Sequence, residues 1–244
     1  GRKWAASYQL GAALAKASRQ GHLKIVQLLL DTSAILKIEV DGFPLQQACE
    51  HGREDVVRYL LEMNANFNES SSHGLGSPVQ AATKGNHETI VQRLIEKGAN
   101  INHDAKYGTA LHIAAYGGFE NLVRIFLIKG ADVNRKGTSA ITPLTLASST
   151  GDDSIVRLLL ECGANPDVVV DGWSPAYTDV RTYGTALQIA AYKGHEKVVR
   201  LLLNSPASSK ASMPMEAEVI DHRPSDGDGN NSSDSGNDCD DMFY

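Results

Sequence analysis

The chain has 244 residues, 42% hydrophobic and 21% charged, with a net charge of −6. This balance suits a water-soluble protein with an extended apolar core, and no apolar run approaches the eighteen or so residues of a membrane span. No charged-then-apolar leader opens the chain, and three cysteines without a Cys-x-x-Cys spacing predict reduced thiols and a cytoplasmic or nuclear setting.

One pattern recurs from end to end: an apolar residue followed, seven places later, by a residue that tolerates positive φ. The pairs are Leu14 and Gly21, Leu45 and Gly52, Val79 and Asn86, Leu111 and Gly118, Leu144 and Gly151, and Leu187 and Gly194. Successive first members lie 31, 34, 32, 33 and 43 residues apart. Six units follow, near residues 8–38, 41–70, 74–104, 107–137, 140–170 and 183–204. A period in the low thirties predicts a solenoid in which each unit packs only on its neighbours.

The first unit carries Trp4, Tyr8 and Leu10 ahead of its repeat phrase and ends in Asp31-Thr32-Ser33-Ala34, without a glycine-rich turn. Such departures suit a capping unit with one face in water; the same three side chains equally suit packing on a preceding helix. In the second unit Asn64 fills the slot that Gly98, Gly130 and Gly163 occupy later, after a second helix, where a left-handed C-terminal cap is favoured. Asn86 plays the corresponding part after the first helix of the third unit, since Asn best replaces Gly at positive φ. The fourth unit reads GTALHIAAYGGFENLVRIFLIKGADVN over 108–134. Thr109 is placed to cap its first helix, and Ala114-Ala115 are small where neighbouring helices approach. In the fifth unit Pro143 suits the first helical position. The sixth repeats as GTALQIAAYKGHEKVVRLLL over 184–203; its Val198, Val199 and Leu201 to Leu203 offer a wide apolar surface for burial between units. Pro206 then terminates the helix.

These phrases resemble the ankyrin repeat over about Leu10 to Leu203. A Thr-Pro-Leu-His start survives in pieces at Ser77–Gln80, Thr109–His112, Thr142–Thr145 and Thr185–Gln188, and the Gly-Ala-Asp-Val-Asn ending stands intact at Gly130–Asn134. The stretch Tyr183–Glu196 is similar to repeats of fungal multidomain ankyrin proteins. The resemblance implies an all-α solenoid of stacked helix-turn-helix units with β-turn fingers. It also implies that the fingers and the exposed face of each first helix form a concave surface that meets a protein partner, and that His112 bonds within the turn network.

Mapped onto this chain, the first-helix face comprises Gln47, Glu50, His51, Thr83, Lys84, Tyr116, Ser149, Thr150, Tyr192 and Lys193. All are expected to turn away from the core. A second candidate is the enlarged finger of residues 168–183, because long loops in compact architecture are often functional. It holds Trp173, Tyr177 and Arg181, residue types that dominate interface hot spots. Trp173 either anchors a partner or folds back over the edge of the stack. Tyr183 reads as structural, because Tyr107 stands at the same place before another Gly-Thr-Ala-Leu start.

Residues 205–244 carry nine acidic residues against Lys210 and Arg223, a balance of −7, so the repeat body is close to neutral at +1. This Ser/Asp/Gly-rich tail is expected to be disordered. Ser225, Ser232, Ser233 and Ser235 lie among carboxylates and suit acidophilic kinases. The body lacks a basic stripe, so nucleic-acid binding is not expected.

No Gly-x-Ser-x-Gly or phosphate-loop motif occurs. His22, His87 and His195 recur at one repeat position, a structural habit rather than a proton relay, and His51, His73 and His103 have no metal-ligand spacing. The expectation is a monomeric, non-enzymatic scaffold without cofactor or metal that binds a partner protein and no membrane. The alternative is the recognition or regulatory segment of a larger enzyme or nucleotide-binding signalling protein, consistent with a chain that opens on Gly1.

Overall fold

The computed structural model describes residues 2–36, 43–70, 76–105, 108–170 and 184–205; for 2–8, 33–36 and 138 it describes the backbone alone. Among these residues twelve α-helices form six antiparallel pairs. The first helices of the pairs are α1 (Arg2–Gln20), α3 (Phe43–Glu50), α5 (Pro78–Lys84), α7 (Ala110–Gly117), α9 (Pro143–Thr150) and α11 (Ala186–Lys193). The second helices are α2 (Leu23–Leu36), α4 (Glu54–Glu62), α6 (Glu88–Glu96), α8 (Glu120–Ile128), α10 (Asp153–Glu161) and α12 (Glu196–Leu203). First helices pack on first helices and second on second, each pair touching the next, as a solenoid requires.

The short helices are held at their ends. Ser77 accepts from the Gln80 backbone N–H while the Gln80 side chain accepts from the Ser77 N–H at 2.7 Å, a capping box. Thr142 with Thr145 and Thr185 with Gln188 repeat it. Pro78 and Pro143 stand in the first turn, where a missing N–H costs nothing. An acidic residue opens each of α4, α6, α8, α10 and α12, which complements the helix dipole. Asn64 and Asn86 adopt φ of 57° and 56°, so both stand in for glycine as the sequence suggests.

One apolar core runs through all six pairs, from Leu14 and Val26 through Leu111 and Phe126 to Val198 and Leu202. No single pair could bury its own apolar face, so this shared core is the main source of stability. Two isolated antiparallel bridges, Ala105 with Gly108 and Val170 with Gly184, close the bases of two fingers. In the second, the reciprocal N–H···O=C bonds are both 3.0 Å.

Polar ladders tie the fingers together. Asn68, Asn102 and Asn134 each accept, through Oδ1, a backbone N–H from the following repeat: Asn100 at 2.9 Å, Asp132 at 2.9 Å and Asn165 at 2.8 Å. The side chain at the repeat position of Gln80 also reaches across to the finger in three repeats. Gln46 Nε2 donates to the Glu69 carbonyl at 2.9 Å, Gln80 Nε2 to His103 O at 3.2 Å and to Gly108 O, and His112 Nε2 to Ile141 O at 3.1 Å. Thr145 is too short to reach; its hydroxyl returns to Thr142 O at 2.8 Å.

Candidate functional site

The exposed face of the first helices is built from equivalent positions of successive repeats. One row reads Arg19, Glu50, Lys84, Tyr116, Ser149, Tyr192; the next reads Gln20, His51, Gly85, Gly117, Thr150, Lys193. The first three repeats carry the charged Arg19, Glu50 and Lys84 in the first of these rows, whereas the last three carry Tyr116, Ser149 and Tyr192. Lys84 Nζ lies 2.8 Å from Glu50 Oε1 across the boundary between repeats two and three. Arg19 Nε donates to His51 Nε2 at 3.0 Å, and His51 Nδ1 donates to the Gln47 carbonyl at 3.0 Å. The Glu50–Lys84 ion pair and the Arg19–His51–Gln47 chain of hydrogen bonds are thus both made within the stack.

The other half has a different foundation. Ile141, Leu146, Val170 and Ile189 form a second buried apolar cluster, with half-buried Tyr116 packed against it. It draws on the finger bases at Ile141 and Val170 as well as on α9 and α11, so the first-helix period alone does not reveal it. Tyr192 is 78% exposed at the same repeat position as Tyr116. Lys193 and Thr150 are also exposed, and Gln47, Glu50 and His51 are partly so.

Two expected face residues are not on the face. Thr83 is buried, its hydroxyl donating to the Val79 carbonyl at 2.7 Å, because it occupies the row of Ala115 that packs against the following repeat. Ser149 is buried as well; its short side chain donates to Leu146 O at 2.8 Å instead of projecting. Trp173, Tyr177 and Arg181 lie outside the described residues.

The histidines behave as structural donors and acceptors. His87 Nε2 donates to the Glu50 carbonyl at 3.0 Å, and His195 Nε2 to Ser149 O at 3.1 Å, each reaching the preceding first helix. His112 accepts on Nδ1 from Thr109 N at 3.2 Å. Its burial, only partly offset by the bond to Ile141, lowers its pKa below the usual imidazole range. Burial pushes the Cys49 thiol in the opposite direction, well above its ordinary value, which leaves it unreactive. Among the described residues no cluster of three or more His, Cys, Asp or Glu could hold a metal ion, and no helix is long and apolar enough to cross a membrane. A shallow groove of about 270 Å³ lies between α6 and α8, lined by Gln92, Ile95, Glu96, Ile125, Ile128 and Lys129.

A family model described as ankyrin repeats matches in three copies, at residues 7–71, 72–137 and 137–213. The chain is similar to the Ankyrin repeat and KH domain-containing protein mask-1 of Caenorhabditis elegans, 37% identical over 100 residues, 41% of this chain and 4% of that protein. Ankyrin repeat protein nuc-2 of the fungus Neurospora crassa is 29% identical over 229 residues, covering 84% of this chain and 17% of its own length. Ankyrin repeat and SOCS box protein 16 of Mus musculus is 38% identical over 165 residues, 64% and 36% of the two chains. The chain thus spans a minor part of these relatives. Ankyrin repeats are generally protein–protein interaction modules and typically not enzymatic. Helix pairs, capping boxes and finger ladders in one register, matched by that model over most of the length, make the chain a member of the ankyrin-repeat family.

Proposed function

We propose that this chain is a binding scaffold that holds a partner protein on its first-helix face and fingers, with no chemistry of its own and no cofactor. The observation that carries this reading is the pair of tyrosines in one row, Tyr116 packed on the buried cluster of Ile141, Leu146, Val170 and Ile189 and Tyr192 78% exposed. Tyr116, held on a packed floor, has little side-chain entropy left to lose, and the exposed Tyr192 adds large contact area, a combination that favours binding. Lys193 and Thr150 flank them, and Gln47, Glu50 and His51 extend the surface into the polar half. The finger residues Trp173, Tyr177 and Arg181 are a second proposed anchor. The reading includes a protein partner rather than nucleic acid or membrane, a single chain in dilute solution, and a cytoplasmic or nuclear setting.

The test begins with partner capture from cells, followed by titration of the purified partner. Tyr116→Ala/Tyr192→Ala is expected to weaken binding at least tenfold while the far-UV circular dichroism stays unchanged. Equal affinity for parent and variant would remove the aromatic half from the site. Trp173→Ala/Tyr177→Ala tests the finger in the same assay.

A second reading is a recognition or regulatory segment of a larger enzyme or nucleotide-binding signalling protein. It is favoured by the small share, 4% to 36%, that this chain covers of the three relatives. An upstream reading frame encoding a nucleotide-binding domain would support it.

A further inference from the structure

The near-neutral average charge of the repeat body conceals a division between its two layers of helices. The six first helices hold six Lys or Arg residues and a single carboxylate, Glu50. The six second helices hold ten carboxylates against seven Lys or Arg residues. The helix dipole accounts for part of this, since Arg19, Lys84 and Lys193 stand in last turns, where cations are favoured. It does not account for the rest. The same dipole favours acids in first turns, which α4, α6, α8, α10 and α12 all have. None of the six first helices has one there.

Side-chain geometry sharpens the bias. Lys16, Arg19, Lys84 and Lys193 are all exposed. The lone carboxylate is already engaged: Glu50 accepts from Lys84 Nζ at 2.8 Å, and its side chain is 17% exposed against 53% for that of Lys84. An approaching anion therefore meets the ammonium ahead of the carboxylate. Arg53 adds a cation beside them, its Nε anchored on the Arg19 carbonyl at 2.9 Å. The track is nevertheless sparse, for α3, α7 and α9 carry no Lys or Arg. A nucleic acid, with a charge every few ångströms, calls for a denser one.

Taking the first-helix face as the binding face proposed above, we infer that the partner protein meets it with an acidic segment, whose carboxylates lie on Lys16, Arg19 and Lys84. Arg19 and Lys84 stand two repeats apart, roughly 20 Å at the usual helix spacing, which about six extended residues cover. Each exposed ion pair contributes little by itself. The summed field does more: it speeds encounter, rejects basic partners and weakens as salt rises. Beyond Lys84 the face continues as Tyr116 and Tyr192, which suit apolar residues next to the acidic stretch.

Titration of the isotope-labelled full chain with hexaglutamate at low salt, followed by amide shifts, tests this. The expected result is saturable shifts confined to α1, α3 and α5, abolished by about 0.5 M salt, where screening shortens to a few ångströms. Hexalysine is expected to leave those amides unmoved. Lys16→Glu/Arg19→Glu alters exposed side chains and is expected to lower the affinity at least tenfold with circular dichroism unchanged; Lys16→Gln/Arg19→Gln should lower it by less. Four outcomes would overturn the proposal: no saturable shift, shifts on the second helices, equal affinity in the parent and both variants, or tighter binding of oligothymidylate, which would mark a nucleic-acid site instead. The binding face itself survives such a result if Tyr116→Ala/Tyr192→Ala still weakens the captured partner. A partner insensitive to that pair and to Lys16→Glu/Arg19→Glu would remove the face.

Discussion

His112 Nε2 donates to the Ile141 carbonyl at 3.1 Å, which joins the start of α7 to the finger base of the next repeat. The bond requires the proton on Nε2, and Nδ1 then accepts from the Thr109 N–H. Protonating Nδ1 would set two donors against each other inside the core.

That geometry gives the fold an acid limit. The folded pKa of His112 lies below its unfolded value, chiefly through burial, so the unfolded chain binds more protons once the pH falls below about 6.5. Stability is full above the unfolded pKa and falls as the pH drops through the window beneath it. Gln performs the same bridging task at Gln80. His112→Gln is therefore expected to flatten the dependence of the urea midpoint on pH below about 6.5. A parent and a variant with parallel profiles would show that another group sets the acid limit.

Ser148 and Ser18 bury hydroxyls without a hydrogen-bond partner, in the row where the fourth repeat has Ala115. Thr83 in the same row satisfies itself on the Val79 carbonyl, which Ser148 does not. Ser148→Ala is expected to raise stability by about 1 kcal/mol, because a desolvated donor is removed with almost no change of volume. A lower urea midpoint would reveal a partner for the hydroxyl in solution.

Asn134 links two repeats through both ends of its amide, accepting from Asn165 N at 2.8 Å and donating to Gly163 O at 3.0 Å. Asn134→Ala is expected to cost about 1–2 kcal/mol and to raise hydrogen exchange at the Asn165 amide. Exchange unchanged at that amide would show that water replaces the side chain without loss.

Gly151 and Gly194 end equivalent first helices at φ of 82° and 78°, yet their surroundings differ. A Cβ on Gly151 would meet the His195 ring at 2.5 Å, whereas one on Gly194 would meet nothing within 4 Å. Gly194→Ala is expected to cost about 1 kcal/mol in backbone strain alone. Gly151→Ala should cost clearly more, because His195 must also leave the Ser149 carbonyl. Equal losses in thermal melts would mean that the ring moves freely.

The sequence exposes those parts of the fold that are periodic. Asn64 and Asn86 were identifiable as glycine substitutes because their offset from Leu and Val positions is fixed, and their positive φ follows from that offset. The capping threonines were legible for the same reason. Thr83 was not, because in a first helix of seven residues one step separates the solvent row from the packing row, and residue type does not tell them apart. Ser149 sits in the solvent row but is too short to leave it. The cluster under Tyr116 was hidden because Ile141 and Val170 belong to finger bases that share no period with α9 and α11.

The short side chain of Thr145 has a consequence for the order in which the stack comes apart. Gln46, Gln80 and His112 each donate to a carbonyl of the following repeat, so opening one repeat strips its neighbour of a partner and unfolding spreads. Among the described residues the Thr145 hydroxyl bonds only within its own turn, so this junction keeps the His195–Ser149 and Val170–Gly184 bonds but lacks that bridge. In a linear array whose cooperativity is the sum of nearest-neighbour terms, a weaker term isolates whatever lies past it. The α11–α12 hairpin should therefore open as a separate unit, at lower free energy than the five repeats before it. Amide exchange would then divide the molecule at this junction, with the Tyr192 half of the binding face on the more labile side.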